Sequence, residues 1–402
     1  MYLLSNMIHP EPHPLLKDGR IYIVFGITLM GVMGVSSIAP AFPRIAEDLG
    51  LSSREVGLLL TVFTVPGIFL APILGFLSDR LGRKQIVVPA LLLFGAAGSA
   101  CAFTESFPAL LLLRFIQGVG AASLTSLSVT LLGDLYEGAN RERAVGYNAS
   151  ALSIGTASYP VIGGALAAIG WRYPFLLSLI AVPIAVGVLL FLPVPKPGGD
   201  GAIVGQIGAV LRNARRRGII TLSILAILVF VLLYGAYLAY MPFLLEERFG
   251  APSPLVGAVM ATMSVATALV ASQHGRIAAH LSTGWILTLG FLCYSGALLV
   301  IPMMPTIALV PVGTLIYGTA QGLTIPTIQS QIAGRAPMEL RGATVAANAM
   351  AIRLGQTLGP LLTGFVYAAG GVRSVFFAAA AVPVVMLAVL WSTAEGPGHG
   401  LR

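Results

Sequence analysis

Residues 54–103 read REVGLLLTVFTVPGIFLAPILGFLSDRLGRKQIVVPALLLFGAAGSACAF. Two apolar runs, residues 54–77 and 86–103, flank a short loop that contains several charges. Each run is close to the ~20 mostly apolar residues that a helix needs to cross the hydrocarbon core of a membrane. A helix satisfies all of its backbone polar groups internally, as lipid requires. This stretch therefore predicts two membrane-spanning helices joined by a charged turn.

The same pattern recurs along the whole chain and predicts an all-α membrane protein with twelve spans. The predicted spans are residues 21–43, 54–77, 86–103, 108–132, 144–168, 173–192, 218–244, 254–274, 284–303, 306–330, 344–369 and 374–392.

The composition agrees with this fold class. Of the 402 residues, 57% are apolar and 9% are charged, and the mean hydropathy is +0.91. Soluble proteins carry about 25% charged residues, so a soluble enzyme and a nucleic-acid binder are excluded. Cys101 and Cys293 each lie inside an apolar run, which argues against a disulfide framework or a cysteine metal site.

One connection is longer than the others and divides the chain. Residues 193–217 read PVPKPGGDGAIVGQIGAVLRNARRR, which predicts a linker with a short basic helix. The predicted organisation is a six-helix bundle in residues 1–192, a cytoplasmic linker in 193–217 and a second six-helix bundle in 218–402.

The distribution of Lys and Arg predicts the orientation of the spans. Cytoplasmic loops of membrane proteins carry an excess of these residues. If the N-terminus is cytoplasmic, sixteen Lys and Arg fall on the inner side and five on the outer side. We therefore expect both termini in the cytoplasm of a cell whose inner membrane holds the protein. The formal net charge of +8 then reflects this asymmetry and attraction to anionic lipid rather than nucleic-acid binding.

The two predicted bundles are related by a shift of 200 residues. Twelve residues between Val145 and Pro183 recur unchanged between Val345 and Pro383. A second set, from Gly50 to Leu81, recurs between Gly250 and Leu281. Two parallel repeats with a site between them are typical of secondary transporters that work by alternating access.

Three motifs carry a resemblance to a known family. The loop after span 2 reads GFLSDRLGRK at 75–84, span 4 contains RFIQGVGAA at 114–122, and span 5 contains GTASYPVIGG at 155–164. The first resembles the G-x-L-x-D-R-x-G-R-K signature of the major facilitator superfamily. The others are similar to its second motif and to the G-x3-G-P-x2-G-G motif of its 12-helix drug:proton antiporters, with Tyr159 in place of a glycine.

The resemblance implies roles for these residues. The first motif would form a latch in which Asp79 meets the N-terminal end of span 11, where a helix favours an anion. The latch residues are Gly75, Asp79, Arg80, Gly82, Arg83 and Lys84. In the family, the span 4 arginine is linked to substrate or proton movement, and the span 5 motif packs against span 8. The packing residues are Gly155, Tyr159, Pro160, Gly163 and Gly164.

The charges inside the membrane predict the character of the cavity. None of the fifteen acids falls clearly in mid-membrane, whereas Arg114 and Arg353 do. A charge facing lipid costs at least ~2.5–3.5 kcal/mol, so both should face the interior. We expect an electropositive cavity suited to neutral or anionic amphiphiles. The predicted cavity residues are Arg114, Gln117, Asn148, Tyr234, Tyr237, Tyr317, Gln321, Asn348, Arg353 and Gln356.

The sequence therefore predicts a monomeric exporter of small amphipathic molecules, driven by a proton gradient and needing no metal or other cofactor. Asp79 and Asp134 are the candidates for proton coupling. A facilitator-type importer of a sugar, organic acid or other nutrient is the alternative. An intramembrane enzyme is disfavoured because all five histidines lie near or beyond the predicted membrane ends.

Overall fold

The computed structural model describes residues 14–193, 217–335 and 341–392. The predicted linker, apart from its two terminal residues, lies outside this part of the chain, and so does its predicted basic helix.

The described residues form helices and no strand. Eleven continuous apolar segments are long enough to cross a membrane, and Gly371, with φ 74° and ψ −174°, breaks the last one into two helices. The prediction of twelve spans is therefore confirmed. The helices are α1 Gly19–Leu49, α2 Ser53–Leu81, α3 Arg83–Phe103, α4 Phe107–Leu135, α5 Gly138–Ile169, α6 Tyr173–Phe191, α7 Gly218–Phe249, α8 Ser253–Ser272, α9 Thr283–Met303, α10 Ile307–Arg335, α11 residues 344–370 and α12 residues 372–392.

Two of the described spans, α1 and α2, begin at a polar residue whose side chain caps the helix. At the start of α2, the Ser52 hydroxyl accepts a hydrogen bond from the Glu55 N–H, while the Glu55 carboxylate accepts one from the Ser52 N–H. This reciprocal pair satisfies two N–H groups that the first turn leaves without partners. In α7, Leu232–Tyr240 forms π-helical turns, a feature that often marks functional sites.

The 200-residue repeat is visible in the backbone. Gly50 ends α1 with φ 63°, and Gly250 ends α7 with φ 59°. This left-handed conformation costs a residue with a Cβ about 1–2 kcal/mol, so glycine closes the helix at both places. We call α1–α6 the N half and α7–α12 the C half.

The halves meet along two helix pairs, α5 with α8 and α2 with α11. In the first pair, a Cβ on Gly257 would overlap the carbonyl oxygen of Pro160, and a Cβ on Gly164 would overlap that of Ser253. Gly163 lies on the other side of α5, where a Cβ would overlap the carbonyl oxygen of Ser37 in α1. The α5–α8 contact thus depends on Gly164 and Gly257, whereas Gly163 joins α5 to α1.

A cluster of tyrosines fills the interior of the C half. The Tyr317 ring stacks on Tyr237 at 5.0 Å and meets Tyr294 edge-on at 4.8 Å. Tyr237 and Tyr317 are 1% and 0% exposed. The prediction that these two tyrosines face the cavity is wrong in this conformation, because the helices of the C half enclose both rings.

The glycine contacts make α5–α8 packing sensitive to one methyl group. We expect Gly257→Ala to destabilise the protein by ~1–3 kcal/mol, the usual effect of overpacking. Gly296→Ala is the matched control, since a Cβ there meets nothing within 4 Å. Thermal unfolding of the purified variants measures the difference, and equal melting temperatures would contradict the assigned contact.

The tyrosine cluster yields a second expectation. The Tyr237 hydroxyl donates a 2.9 Å hydrogen bond to the Met260 carbonyl oxygen. The buried Tyr317 hydroxyl has no hydrogen-bond partner among the described residues. Tyr237→Phe should therefore cost ~0.5–1.5 kcal/mol of stability, whereas Tyr317→Phe should cost nothing. Thermal unfolding again provides the measurement, and the reverse ranking would show that these environments are assigned wrongly.

Candidate functional site

The two halves touch at one end of the bundle and separate toward the other. The closed end carries the connections near residues 50, 170, 250 and 371, and the open end carries those near residues 82, 136 and 273. At glycines nearer the closed end, such as Gly57, Gly67 and Gly364, an added Cβ would lie within 4 Å of atoms of the opposite half. At Gly75 and Gly275, toward the open end, a Cβ would meet nothing. The described contacts between the halves thus lie toward the closed end, and we infer that a crevice between the halves opens at the other end.

Hydrogen bonds between α2 and α11 form the floor of the crevice. The hydroxyls of Thr64 and Thr357 lie 2.9 Å apart, and the Thr61 hydroxyl donates to the Thr357 carbonyl oxygen at 3.4 Å. Across the second pair of helices, the Ser264 hydroxyl donates to the Thr156 carbonyl oxygen at 3.0 Å. Small hydroxyl side chains thus join the halves near the middle of the membrane.

Arg353 lies directly above this floor, one helical turn before Thr357. Its side chain runs along Gly67, the central residue of α2, where a built Cβ would lie 3.0 Å from Cδ and 3.1 Å from Nε. Its Nη1 donates a 3.1 Å hydrogen bond to the Gln356 side-chain oxygen. The ion pairs found among the described residues do not include Arg353. This partly buried guanidinium therefore places a positive charge, without an acidic partner in the described chain, between the two halves.

The C half places one aromatic side chain, Tyr234, and one amide, Gln356, beside Arg353. Tyr234 is partly buried beside it, with its ring 6.4 Å from that of Phe230. Phe230 and Asn348 also line a narrow gap of about 10 Å³ between α7, α10 and α11, which is no larger than a single water molecule. The buried side-chain oxygens of Asn348 and Gln321 have no hydrogen-bond partner among the described residues. Both oxygens are buried within the C half, so in this conformation they are not open to a ligand in the crevice.

Arg114 does not line the crevice, contrary to the sequence prediction. It is 0% exposed within the N half, and its guanidinium lies 4.2 Å from the Phe63 ring. Its Nη1 donates to the Gln117 side-chain oxygen at 2.6 Å, and Gln117 donates to the Ser178 hydroxyl at 2.9 Å. Arg114 and Gln117 therefore link α2, α4 and α6, and in this conformation a ligand in the crevice cannot reach them. The polarity of Arg114 and Gln117 could not show whether these side chains lie inside one half or in the space between the halves.

Asn148 has a similar structural position. It is buried, and its side-chain oxygen accepts a 2.7 Å hydrogen bond from the Thr28 hydroxyl. This contact joins α5 to α1.

The charged loop between α2 and α3 forms a network with the end of α4. Arg83 pairs with Asp79 and, at 2.9 Å, with Asp134. Its Nη1 also donates to the Ser78 hydroxyl at 3.0 Å. Asp79 remains 56% exposed at the open end. Thus the two carboxylates predicted to couple protons share one guanidinium.

The other basic residues of this loop hold it in place. Lys84 donates a 2.9 Å hydrogen bond to the Leu189 carbonyl oxygen in α6. Arg80 lies over the Phe76 ring at 5.0 Å. Gly82 has φ 103°, which a residue with a side chain rarely adopts.

A second small network lies beside the end of α4, outside the spans. Asp18 accepts hydrogen bonds from Arg20, and its Oδ2 accepts a 2.9 Å bond from the Tyr136 hydroxyl. The hydrogen bond from the Arg20 side chain lowers the pKa of Asp18 to about 2. This carboxylate therefore stays ionised near neutral pH and is unsuited to carry a transported proton there.

The structure adds residues to the site that polarity and motif matching missed. Gly67 provides room for Arg353, and Thr357 closes the floor with Thr64. The sequence could have indicated the threonines of α2, because Thr61 and Thr64 are three residues apart and therefore share one face of a helix. Within the described residues, no three His, Cys, Asp or Glu side chains come together in a way that could hold a metal ion.

Comparisons with known proteins agree with this architecture. The family described as "Major Facilitator Superfamily" matches residues 24–353 and, in a second match, residues 225–401. The chain is 29% identical to the bacillibactin exporter of Bacillus subtilis (strain 168) over 294 residues, which is 68% of this chain and 73% of that protein. It is 28% identical to the quinolone resistance protein NorA of Staphylococcus aureus over 173 residues, or 43% of either chain.

A solved structure shares the fold at low identity. The D-xylose–proton symporter superposes with a TM-score of 0.75 at 17% identity, covering 94% of this chain and 98% of the symporter. The helix count, the repeat, the loop motif and the family match together show that this chain is a multi-pass membrane transporter of the major facilitator superfamily and not an enzyme.

Proposed function

We propose that the protein is a proton-coupled exporter of small amphipathic molecules and that Arg353 holds their anionic or polar end. The observation that carries this proposal is the position of Arg353 between the two halves, beside the aromatic side chains of α7 and without an acidic partner in the described chain. A charge-assisted hydrogen bond from such a group contributes ~1.5–3 kcal/mol. Tyr234 and Phe230 provide apolar surface for the rest of the molecule. The relative named as a bacillibactin exporter supports the direction of transport.

Alternating access follows from the two helix pairs at the closed end. The crevice opens at the end where Lys and Arg are concentrated, so the positive-inside rule makes this end cytoplasmic and both termini with it. In this state a monomer in the inner membrane takes up substrate from the cytoplasm or the inner leaflet. Export requires the α2–α11 and α5–α8 contacts to break while the open end closes.

The charged network at the open end is suited to couple that change to protons. Arg83 pairs with Asp79 and Asp134 together, so protonation of one carboxylate leaves the guanidinium to the other. When the open end closes, Asp79 moves from Arg83 to the N-terminal end of α11, where the helix dipole stabilises an anion. In the present conformation, Asp79 pairs with Arg83.

An importer of a sugar, organic acid or other nutrient remains the second candidate. The observation that favours it is the fold, which the D-xylose–proton symporter shares. The direction of substrate transport distinguishes the two functions. In inverted vesicles with an imposed proton gradient, an exporter accumulates labelled amphiphile and collapses part of the gradient as it does so. Release of preloaded substrate under the same gradient would instead support import.

The charge of the crevice makes a prediction about selectivity. Matched anionic, neutral and cationic amphiphiles are compared in the same vesicle assay. Arg353→Ala should raise the half-saturating concentration of the anionic compound by ~10- to 100-fold, that of the neutral compound less, and that of the cationic compound least. Arg353→Lys should rescue only part of this loss, because it keeps the charge but lacks the planar fork. Equal loss for all three compounds would mean that Arg353 is purely structural.

The latch makes an independent prediction. Asp79→Asn keeps the size of the side chain but removes the charge that is shared with Arg83 and α11. Transport should fall at least tenfold at an unchanged level of folded protein, and Asp48→Asn, an exposed carboxylate at the closed end, should behave as wild type. Purified variants in proteoliposomes provide the rates. Wild-type rates for Asp79→Asn would remove the latch from the mechanism.

A further inference from the structure

A second groove lies between the halves at the closed end, on the flank of the α2–α11 pair. Its volume is about 460 Å³, and it is open to its surroundings. Residues of the N half form one wall and residues of the C half form the other. The lining residues are Ser52, Arg54, Glu55 and Leu58 from the start of α2, and Pro360, Leu361 and Phe365 from α11.

The rim of the groove carries one charge of each sign. The exposed Arg54 guanidinium lies 4.7 Å from the Phe365 ring, and no ion pair among the described residues involves it. One oxygen of Glu55 accepts hydrogen bonds from the N–H and hydroxyl of Ser52, at 2.8 and 2.7 Å. Its other oxygen carries no hydrogen bond from the described chain. The rim therefore offers a cation and an acceptor side by side.

The deeper part of the groove is apolar. Leu58 lies one helical turn below Arg54, and Leu361 lies one turn below Phe365, so each is ~5–6 Å nearer the middle of the membrane. Phe365 is 61% exposed on the flank of the bundle. An occupant of this groove thus needs a charged head at the membrane surface and an apolar part that runs toward the centre.

We propose that this groove binds a zwitterionic phospholipid whose head carries a primary ammonium, with the phosphate on Arg54 and the ammonium on Glu55. An acyl chain then follows Leu58, Leu361 and Phe365. Arg is suited to phosphate because its planar fork can donate two parallel hydrogen bonds. A primary ammonium can donate to the free oxygen of Glu55, whereas a trimethylated ammonium has no N–H to donate.

Binding at this place favours one conformation of the transporter. The two walls belong to different halves, and they separate when the closed end opens. A lipid that contacts both walls therefore stabilises the state in which this end is closed, by an amount set by its difference in affinity for the two states. The site is independent of the transported molecule and of the direction of transport.

The test measures lipid affinity on the purified full-length protein in detergent. Short-chain phosphatidylethanolamine, phosphatidylcholine and phosphatidylglycerol are titrated, and native mass spectrometry counts the bound molecules. Glycerophosphoethanolamine, which has no chains, distinguishes the lipid from a free phosphate compound. The variants are Arg54→Gln and Glu55→Gln. Arg44→Gln is the control, because Arg44 is an exposed cation at the same end that lies outside the groove. Glu55→Gln retains the cap of α2, because glutamine serves equally at this position.

Wild type and Arg44→Gln should bind the ethanolamine lipid at least tenfold more tightly than the choline lipid, and more tightly than the chainless head. Arg54→Gln should lose at least tenfold in affinity for both lipids. Glu55→Gln should keep its affinity for the choline lipid and lose the preference for ethanolamine. Unchanged binding by Arg54→Gln, or equal binding of the two lipids by wild type, overturns the assignment. Tightest binding of phosphatidylglycerol would identify a plain cationic patch instead.

A distance measurement tests the conformational consequence. Spin labels are placed at Ser106 and Thr306, exposed loop positions of the closed end that are 200 residues apart, after Cys101 and Cys293 are replaced by serine. Ethanolamine lipid in nanodiscs should shift the distribution toward the shorter distance relative to choline lipid, and Arg54→Gln should abolish the shift. A distance distribution that changes with neither the lipid nor the variant would refute the bridging role.

Discussion

The low dielectric of the hydrocarbon core determines where each charge of this protein can lie. A charge that faces lipid has no water and no counter-ion, so it must reach a membrane surface, a water-filled space or a polar partner inside the protein. Nearly all of the Lys and Arg meet this condition in loops and at helix ends. The two exceptions meet it differently. Arg114 is enclosed by an aromatic ring, a glutamine and a backbone carbonyl, whereas Arg353 lies in the crevice between the halves.

This difference separates a polar group inside one half from a polar group that contacts both halves. The Arg114 network is buried inside the N half, where its hydrogen bonds join α2, α4 and α6. Arg353 extends from the C half and packs on Gly67 of the N half, so its surroundings must change when the halves rock. A ligand that binds to Arg353 can therefore favour one arrangement over another, since only a difference in interaction between two states shifts their populations.

The contacts at the closed end are compatible with a protein that must open there. Hydroxyl side chains and glycine–carbonyl contacts join the halves at this end, and its described contacts include no ion pair across the interface. Each such hydrogen bond contributes only ~0.5–1.5 kcal/mol, so the halves can separate without the loss of a strong bond. The binding of substrate, of protons by Asp79 and Asp134, and of lipid in the α2–α11 groove, each of which is proposed above, would tilt such a balance.

Hydrophobic runs, loop charges and the 200-residue repeat were sufficient to predict the twelve helices, because the requirements of lipid act on each segment independently of its neighbours. The sequence also identified Arg353 as exceptional, since a charge at its depth stands out in any apolar helix. The sequence did not predict the rotation of each helix about its own axis. Tyr237 and Tyr317 lie in the core of the C half, Gly163 packs against α1, and Arg114 is buried within the N half. The sequence could not predict these contacts, because a helix in an all-apolar bundle has no polar face to show which neighbour it packs against. Only the tertiary structure decides that, through the close packing of side chains against backbone.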